Sequence, residues 1–327
     1  MPVQSYIQAV TAALKEEMQR DEKVFILGED VGKKGGVFRA TDGLYEEFGE
    51  ERVLDTPLAE SAIAGVGIGA AMYGMRPVAE MQFADFIMPA VNQIISEAAK
   101  LRYRSNNDWN APITIRAPYG GGVHGALYHS QSVESVFANQ PGLKIVMPST
   151  PYDVKGLLKA SIRDNDPVLF FEHKRAYRLI KGEVPDEDYI LPIGKADVKR
   201  EGSDITVITY GLSVHFALQA AEKLAEEGID AHILDLRTIY PLDKEAIIEA
   251  AKKTGKVLLV TEDNKEGSII GEVAAIIAEN CLFDLDAPIQ RLAGPDVPAM
   301  PYSPPMEKYF MINPDKVEKA MRDLAEF

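Results

Sequence analysis

Short apolar runs alternate with longer stretches of helical period along almost the whole chain. This alternation restricts the fold more than any other feature. Residues 5–20 (SYIQAVTAALKEEMQR) place Ile7, Val10, Leu14 and Met18 at helical spacing, and VFILG at 24–28 reads as a buried strand. A helix is expected after Glu60, then a strand at 76–82. Next comes a long helix from about Asp85 to Tyr103, with Ile87, Val91, Ile94, Ile95, Ala98 and Leu101 on one face. ITIRA at 113–117, KIVMP at 144–148 and VLFFE at 168–172 read as further strands, with a helix at 153–163 between the last two. Such β–α alternation implies a parallel sheet covered by helices on both faces.

The pattern breaks once. Residues 181–189 (KGEVPDEDY) are charged, hold Pro and Gly, and show no apolar period, so they read as part of a linker. Strands then follow at 205–211, 231–236, 257–263 and 288–294, with helices at 213–227, 243–253 and 268–280. A terminal helix runs to about Leu324, with Asn313 placed to cap it and Pro314 at its first position. A chain of 327 residues should form about two domains of roughly 150 residues each. The expected division is a larger α/β domain at 1–185, a linker at 186–200 and a smaller α/β domain at 201–327.

Composition excludes several classes of function. A hydrophobic share of 46% and a charged share of 26% fit a soluble globular protein. No apolar run reaches the roughly 18 residues of a membrane helix, so no membrane association is expected. The start, Met-Pro-Val-Gln-Ser, lacks the basic and apolar regions of a signal peptide. Cys281 is the only cysteine, which rules out an internal disulfide and fits a reducing cytoplasm; it reads as a small core residue. A net charge of −15 with no long basic run argues against nucleic acid and makes a basic protein partner plausible.

Against this background one carboxylate stands out. In residues 55–69 (DTPLAESAIAGVGIG), Glu60 is set in a run of small and apolar residues. A carboxylate at the head of an apolar helix either caps that helix or sits in a pocket, where desolvation favours the protonated form. Asp55 and Thr56 already offer capping oxygens, and Pro57 suits a first turn. Glycines at 65, 67 and 69 remove side chains where backbone or ligand must come close. Glu60 is therefore the first candidate for chemistry. The glycines space as GxGxG and not GxGxxG, and no strand leads directly into them, which argues against a dinucleotide.

A second constellation is residues 118–131 (PYGGGVHGALYHSQ). Three glycines after a strand suggest a flexible loop at its carboxyl end, where open α/β sheets bind ligands. His124 and His129 on that loop are metal ligands, proton-transfer groups or structural residues. Zinc is disfavoured, with no cysteine near and no carboxylate at ligand spacing.

These residues carry a family resemblance. LAESAIAG at 58–65, EMQFADF at 80–86 and HGALYHSQS at 124–132 resemble the β subunit of the thiamine-dependent, decarboxylating component of 2-oxo acid dehydrogenase complexes. The likeness extends from about residue 4 to the C-terminus, through PGLKIVMPSTPYDVKGLL at 141–158 and LDLRTIYPLD at 234–243. Within the family it is nearest the branched-chain enzyme, on HGALYHSQS and FADF. The implied fold is a transketolase-like pyrimidine-binding domain followed by a transketolase C-terminal domain.

The resemblance implies a site. Thiamine pyrophosphate needs a carboxylate on N1′ of its aminopyrimidine, and Glu60 matches it; an apolar pocket helps such a group share a proton. Phe86 matches an aromatic stacked on the pyrimidine, although ordinary helix core explains its periodicity equally well. Leu58 and Gln82 match positions lining cofactor and substrate. His129 matches a residue that hydrogen-bonds substrate or intermediate during transfer to lipoyl, with His124 in support. No GDG motif for the cofactor's diphosphate occurs here; Gly28-Glu29-Asp30 is the nearest acidic turn. A partner α subunit is thus implied to bring the diphosphate and Mg2+, in an α2β2 heterotetramer whose active site lies between chains. A K+ site is implied at Ala111, Ile113, Thr114, Ser161, Asp164 and Asp166, where oxygens suit a hard cation. Ser161 and Asp166 depart from the pattern there, and an ordinary helix-end turn explains Asp164 about as well. The subunit-binding and lipoyl domains of the dihydrolipoyl acyltransferase are the further partners implied. Three alternatives stand beside this reading: a pyruvate or acetoin β subunit, a non-catalytic docking subunit, and the pyrimidine half of a transketolase, for whose diphosphate half 327 residues leave no room.

Overall fold

The computed structural model describes residues 1–327, which divide into two compact units. The first comprises residues 1–119 and 136–193, the second residues 120–135 and 194–327. The glycine-rich loop thus belongs with the C-terminal part of the chain. Residues 197–200, within the stretch read as linker, form an edge strand of the second unit.

The first unit is built on six parallel strands: β1 (Val24–Gly28), β2 (Val53–Asp55), β3 (Arg76–Glu80), β4 (Thr114–Tyr119), β5 (Lys144–Val146) and β6 (Val168–His173). Their order across the sheet is β5-β6-β4-β3-β1-β2. Strands β1, β4 and β6 are buried along their whole length, as expected of a sheet covered on both faces. After β2 the chain crosses back to the other side of β1. The switch point therefore lies between the carboxyl ends of β1 and β3, the place where such sheets open a crevice.

Local chemistry sets the helices. Helix α1 (Tyr6–Arg20) begins in a capping box: Ser5 Oγ accepts from Gln8 N while Gln8 Oε1 accepts from Ser5 N at 2.8 Å. Helix α2 (Glu60–Met72) has no such start. Its cap position is Ala59, with no side-chain hydrogen bond; Asp55 accepts instead from Gly32 N at 2.6 Å, and Thr56 Oγ1 has no partner. The expected capping oxygens are thus used elsewhere or not at all. Helix α3 (Pro151–Arg163) is capped by Thr150, with Pro151 in its first turn.

One expected helix is not regular. From Ala84 to Arg104 the chain makes a 3-10 segment (Ala84–Ala90), a π segment (Asn92–Ala98) and an α segment (Ala99–Arg104). Pro89 inside the first segment removes a backbone donor, and the chain winds tightly, then loosely, around that gap. The expected apolar positions Ile87, Ile94, Ala98 and Leu101 are still buried.

The second unit has a five-stranded sheet: β7 (Asp197–Arg200), β8 (Ile205–Thr209), β9 (Ala231–Asp235), β10 (Val257–Asn264) and β11 (Gln290–Gly294). Its order is β11-β10-β8-β9-β7, parallel except for the edge strand β7. The terminal helix Pro314–Ala325 is capped by Asn313, whose side chain accepts from Lys316 N at 3.0 Å. Cys281 is buried. No helix is long and apolar enough to cross a membrane.

The first unit's sheet buries a charged ladder. Arg116, in β4, donates to Glu80 of β3 at 2.5 Å and to both oxygens of Glu172 in β6 at 2.6 and 2.7 Å. All three side chains are buried. Burial opposes the guanidinium's charge, yet Glu172 and Glu80 outweigh it and raise its pKa. Removing one member of a buried ion cluster leaves uncompensated charge and costs about 3–5 kcal/mol. Arg116→Met should therefore lower the chain's unfolding free energy by about that much, measured by denaturant titration. Glu80 already has a raised pKa, from burial above all. A carboxyl raised in the folded state stabilises at low pH and loses that contribution as pH rises. The variant's deficit should accordingly shrink on acidification from pH 7 towards 5; a pH-independent deficit under about 1 kcal/mol contradicts the ladder.

Candidate active site

Three carboxylates stand at the switch-point end of the first sheet. Glu80 closes β3, Glu29 follows β1 directly, and Glu60 heads the helix after β2. Gly28 lets β1 pass close to β3: a Cβ there would stand 2.8 Å from the Glu80 carbonyl oxygen. The pKa of Glu29 is raised, first by burial, then by the charges of Asp30 and Glu60, with Lys34 pulling the other way. The influence of Glu60 on Glu29 puts the two carboxylates within electrostatic reach. Glu60 itself is buried and is not spent on capping its helix.

The head of α2 is fastened to the segment that carries the expected aromatic. Ser61 Oγ donates to Pro89 O at 2.5 Å. In that segment Ile87 takes the core position and is fully buried, whereas Phe86 is only half-buried. Phe86 meets Phe83 edge to face, with ring centroids 5.8 Å apart and planes at 80°. Phe83 in turn contacts Phe38, and Phe38 contacts Tyr177. The Tyr177 hydroxyl donates to Glu172 at 2.6 Å, which joins the aromatic row to the charged ladder. Lys174 lies 5.4 Å from the Phe83 ring centroid. Gln82 is half-buried, and Leu58 is exposed to 72%.

The oxygens expected to hold a monovalent cation are engaged by the protein's own donors. Asp164 pairs with Lys144 at 2.6 Å and accepts from Asp166 N, and Asp166 pairs with Arg102 at 2.5 Å. Arg76 donates to the Ile162 and Asp164 carbonyls at 3.0 and 2.9 Å. The Ala111 and Ile113 carbonyls accept from Ile113 N and Val168 N, and Ser161 Oγ donates to Leu157 O. Only the Thr114 hydroxyl, buried in β4, has no partner.

In the second unit the glycine-rich loop is pinned rather than free, contrary to the expectation from three consecutive glycines. Gly121 N donates to Glu262 Oε1 at 2.6 Å, and Gly122 N and His124 N both donate to Glu307 Oε1 at 3.2 Å. Two acceptor carboxylates, side by side with bare backbone, replace the side-chain packing that glycine cannot supply. His124 adopts φ 56° and pairs through Nδ1 with Glu307 at 2.6 Å, which gives it a tethering role. His129 is half-buried, and the turn before it requires glycine: a Cβ on Gly125 would lie 2.7 Å from His129 Cβ. Glu60 belongs to the first unit and His129 to the second.

Sequence reasoning named Glu29 only as part of an acidic turn, and passed over the Glu80–Arg116–Glu172 ladder and Glu134, Glu262 and Glu307. The ladder left a signal: RPVAE, ITIRA and VLFFE each set a charge, Glu80, Arg116 or Glu172, beside apolar strand residues. Glu262 and Glu307 lie in residues far along the chain from the loop they hold, and no local pattern announces them.

Comparison with known proteins fits this architecture. Residues 3–180 match the transketolase pyrimidine-binding domain, and residues 194–317 match the transketolase C-terminal domain. The chain is 84% identical to the 2-oxoisovalerate dehydrogenase subunit beta of Bacillus subtilis, over the full length of both. Identity to the pyruvate dehydrogenase E1 component subunit beta of the same organism is 48%, again over both full lengths. The corresponding Staphylococcus aureus subunit is 45% identical over 99% of each chain. A solved split-gene transketolase, described as an inactive β4 tetramer, superposes with a TM-score of 0.80 at 23% identity, covering 98% of each chain, and supports the fold. With both domain models matched and the whole chain aligned to such subunits, this protein belongs to the family of β subunits of thiamine-dependent 2-oxo acid dehydrogenases.

Proposed function

We propose that the chain is the β half of a branched-chain 2-oxo acid dehydrogenase, acting with an α subunit in oxidative decarboxylation and reductive acylation of lipoyl groups. The observation that carries this reading is the 84% full-length identity to a 2-oxoisovalerate dehydrogenase β subunit. Intact Glu60 and His129 favour a working subunit over a docking subunit with vestigial sites.

Residues of the first unit suit the pyrimidine half of thiamine pyrophosphate. A buried carboxylate not used as a cap, a half-buried aromatic and the partnerless Thr56 hydroxyl lie around the switch point. When bound, the cofactor would supply an acidic thiazolium C–H that becomes a carbon nucleophile on loss of its proton. Glu60, buried and not spent on capping its helix, would hold a proton at the pyrimidine N1′. Phe86 would offer a flat face to the ring, and Gln82 and Leu58 would line cofactor and substrate. His129 would hydrogen-bond substrate or intermediate during transfer to lipoyl, while Glu307 fixes the loop through His124. Diphosphate and Mg2+ fall to the α subunit, since this chain has no GDG motif. Assembly as an α2β2 heterotetramer in the cytoplasm, docked to the subunit-binding and lipoyl domains of an acyltransferase, completes the proposal; the net charge of −15 suits a basic partner.

Turnover of the co-expressed α and β chains on branched 2-oxo acids and on pyruvate separates the readings. A kcat/KM at least tenfold higher for the branched acids is expected. Preference for pyruvate would instead favour the alternative to which the 48% relative points, and inactivity on all of them the docking subunit.

The K+ reading at Ala111, Ile113, Thr114, Ser161, Asp164 and Asp166 rests on carbonyl second lone pairs and the unpartnered Thr114 hydroxyl, beside Lys144, Arg76 and Arg102. Specific binding should raise the melting temperature with added K+ beyond an equal concentration of choline, in line with mass action. Equal midpoints in the two salts would remove the site.

A further inference from the structure

Behind the pinned loop lies a carboxyl group that the reaction above does not use. Glu134, at the end of the Gly120–Ser135 loop, is fully buried. The Tyr210 hydroxyl donates to its Oε1 at 2.8 Å, and that hydroxyl also lies 2.6 Å from Thr261 Oγ1. Its other oxygen, Oε2, has no hydrogen-bond partner. Next along the chain, Ser135 Oγ donates to Asp263 at 2.6 Å. Asp263 and Glu262, both from β10, act on Glu134 as neighbouring negative charges.

An ionised carboxylate in this position would be buried beside two further acids with one oxygen unsatisfied, a costly state. A neutral carboxylic acid avoids the charge penalty beside Asp263 and Glu262, and it still accepts from Tyr210 through Oε1. Glu134 is also a fourth attachment of one short loop. Glu262 holds Gly121, Glu307 holds Gly122 and His124, and Asp263 holds Ser135.

We propose that Glu134 is a positioning residue that acts in its neutral form, tying the Gly120–Ser135 loop, and with it His129, to the Tyr210–Thr261 pair on the second sheet, and that it loosens the loop when it ionises. The proposal rests on the reading of His129 above only for its functional consequence; the loop's tether stands on geometry. Burial is the main cause that lifts the Glu134 pKa to about 8, followed by the Asp263 charge, with Glu262 adding to it. Its own backbone N–H and the Tyr210 hydroxyl pull the other way. Folded-state pKa is thus above the unfolded value of 4.5. The group's contribution is complete at low pH and declines as pH rises between these two values.

Amide hydrogen exchange of residues 120–132 in the full-length protein, corrected for intrinsic rates, measures the tether without reference to catalysis. Protection of the Gly121, Gly122 and His124 amides should fall at least tenfold as pH rises from 5 to 8 and level off above that. Glu134→Gln, which keeps the shape and cannot ionise, should keep its protection across that range. Tyr210→Phe removes the tie itself, so the same amides should already have lost protection at pH 5 and change little as pH rises. Parallel profiles in the wild type and Glu134→Gln would overturn the proposal, as would wild-type protection at pH 5 in Tyr210→Phe. If Glu134→Gln does not fold, Tyr210→Phe alone decides. Loss of branched-acid turnover in the assembled enzyme with an intact exchange profile would refute the catalytic reading and leave the tether standing.

Discussion

Arg116 sits in the middle of a buried strand, and a guanidinium can occupy such a place only if its charge is matched without water. Glu80 and Glu172, on the strands to either side, supply that match with three short hydrogen bonds. The ladder joins β3, β4 and β6, with Glu80 and Glu172 at or next to the carboxyl ends of their strands, so it fixes that part of the sheet. Two carboxylates against one cation leave this end of the sheet net negative, and Glu80 keeps a raised pKa despite its partner. Tyr177 carries the ladder's order into the row of Phe38, Phe83 and Phe86. A cluster with such demands adds little net stability, because desolvation offsets most of the attraction. Its use is positional, since it allows one arrangement of three strands and penalises the rest.

The second unit treats its loop by the same means. Glycine-rich backbone has no side chains to pack, so its N–H groups are the only handles available. Glu262 and Glu307 grip those handles from residues distant in sequence, and Gly125 admits the tight turn that sets His129. In both units carboxylates bound to N–H donors hold the elements in place.

Much of this was legible from residues alone. The alternation of strand and helix patterns identified the parallel sheets, because periods of 2 and 3.6 are fixed by backbone geometry. Asn313 and Pro314 marked the last helix for the same reason. Two readings failed locally. The helix expected from Asp85 to Tyr103 has the right apolar spacing, but Pro89 breaks its hydrogen-bond ladder, and the register is recovered through 3-10 and π turns. Three glycines suggested a free loop, and no local pattern reveals a tether from a carboxylate more than a hundred residues away. Glu60 was visible as a lone charge among small residues. The argument that Asp55 and Thr56 cap its helix was not upheld, since Asp55 turns to Gly32 and Ala59 is the cap position.

The central claim is that Glu60 manages a proton at the cofactor's pyrimidine. Hydrogen–deuterium exchange at the thiazolium carbon of thiamine pyrophosphate, followed by NMR after acid quench in the assembled enzyme, tests it without any substrate. Glu60→Gln should keep the fold and slow that exchange by roughly 10²–10⁴-fold, the usual span for a positioned acid–base group. Exchange in the variant at the wild-type rate would contradict the account.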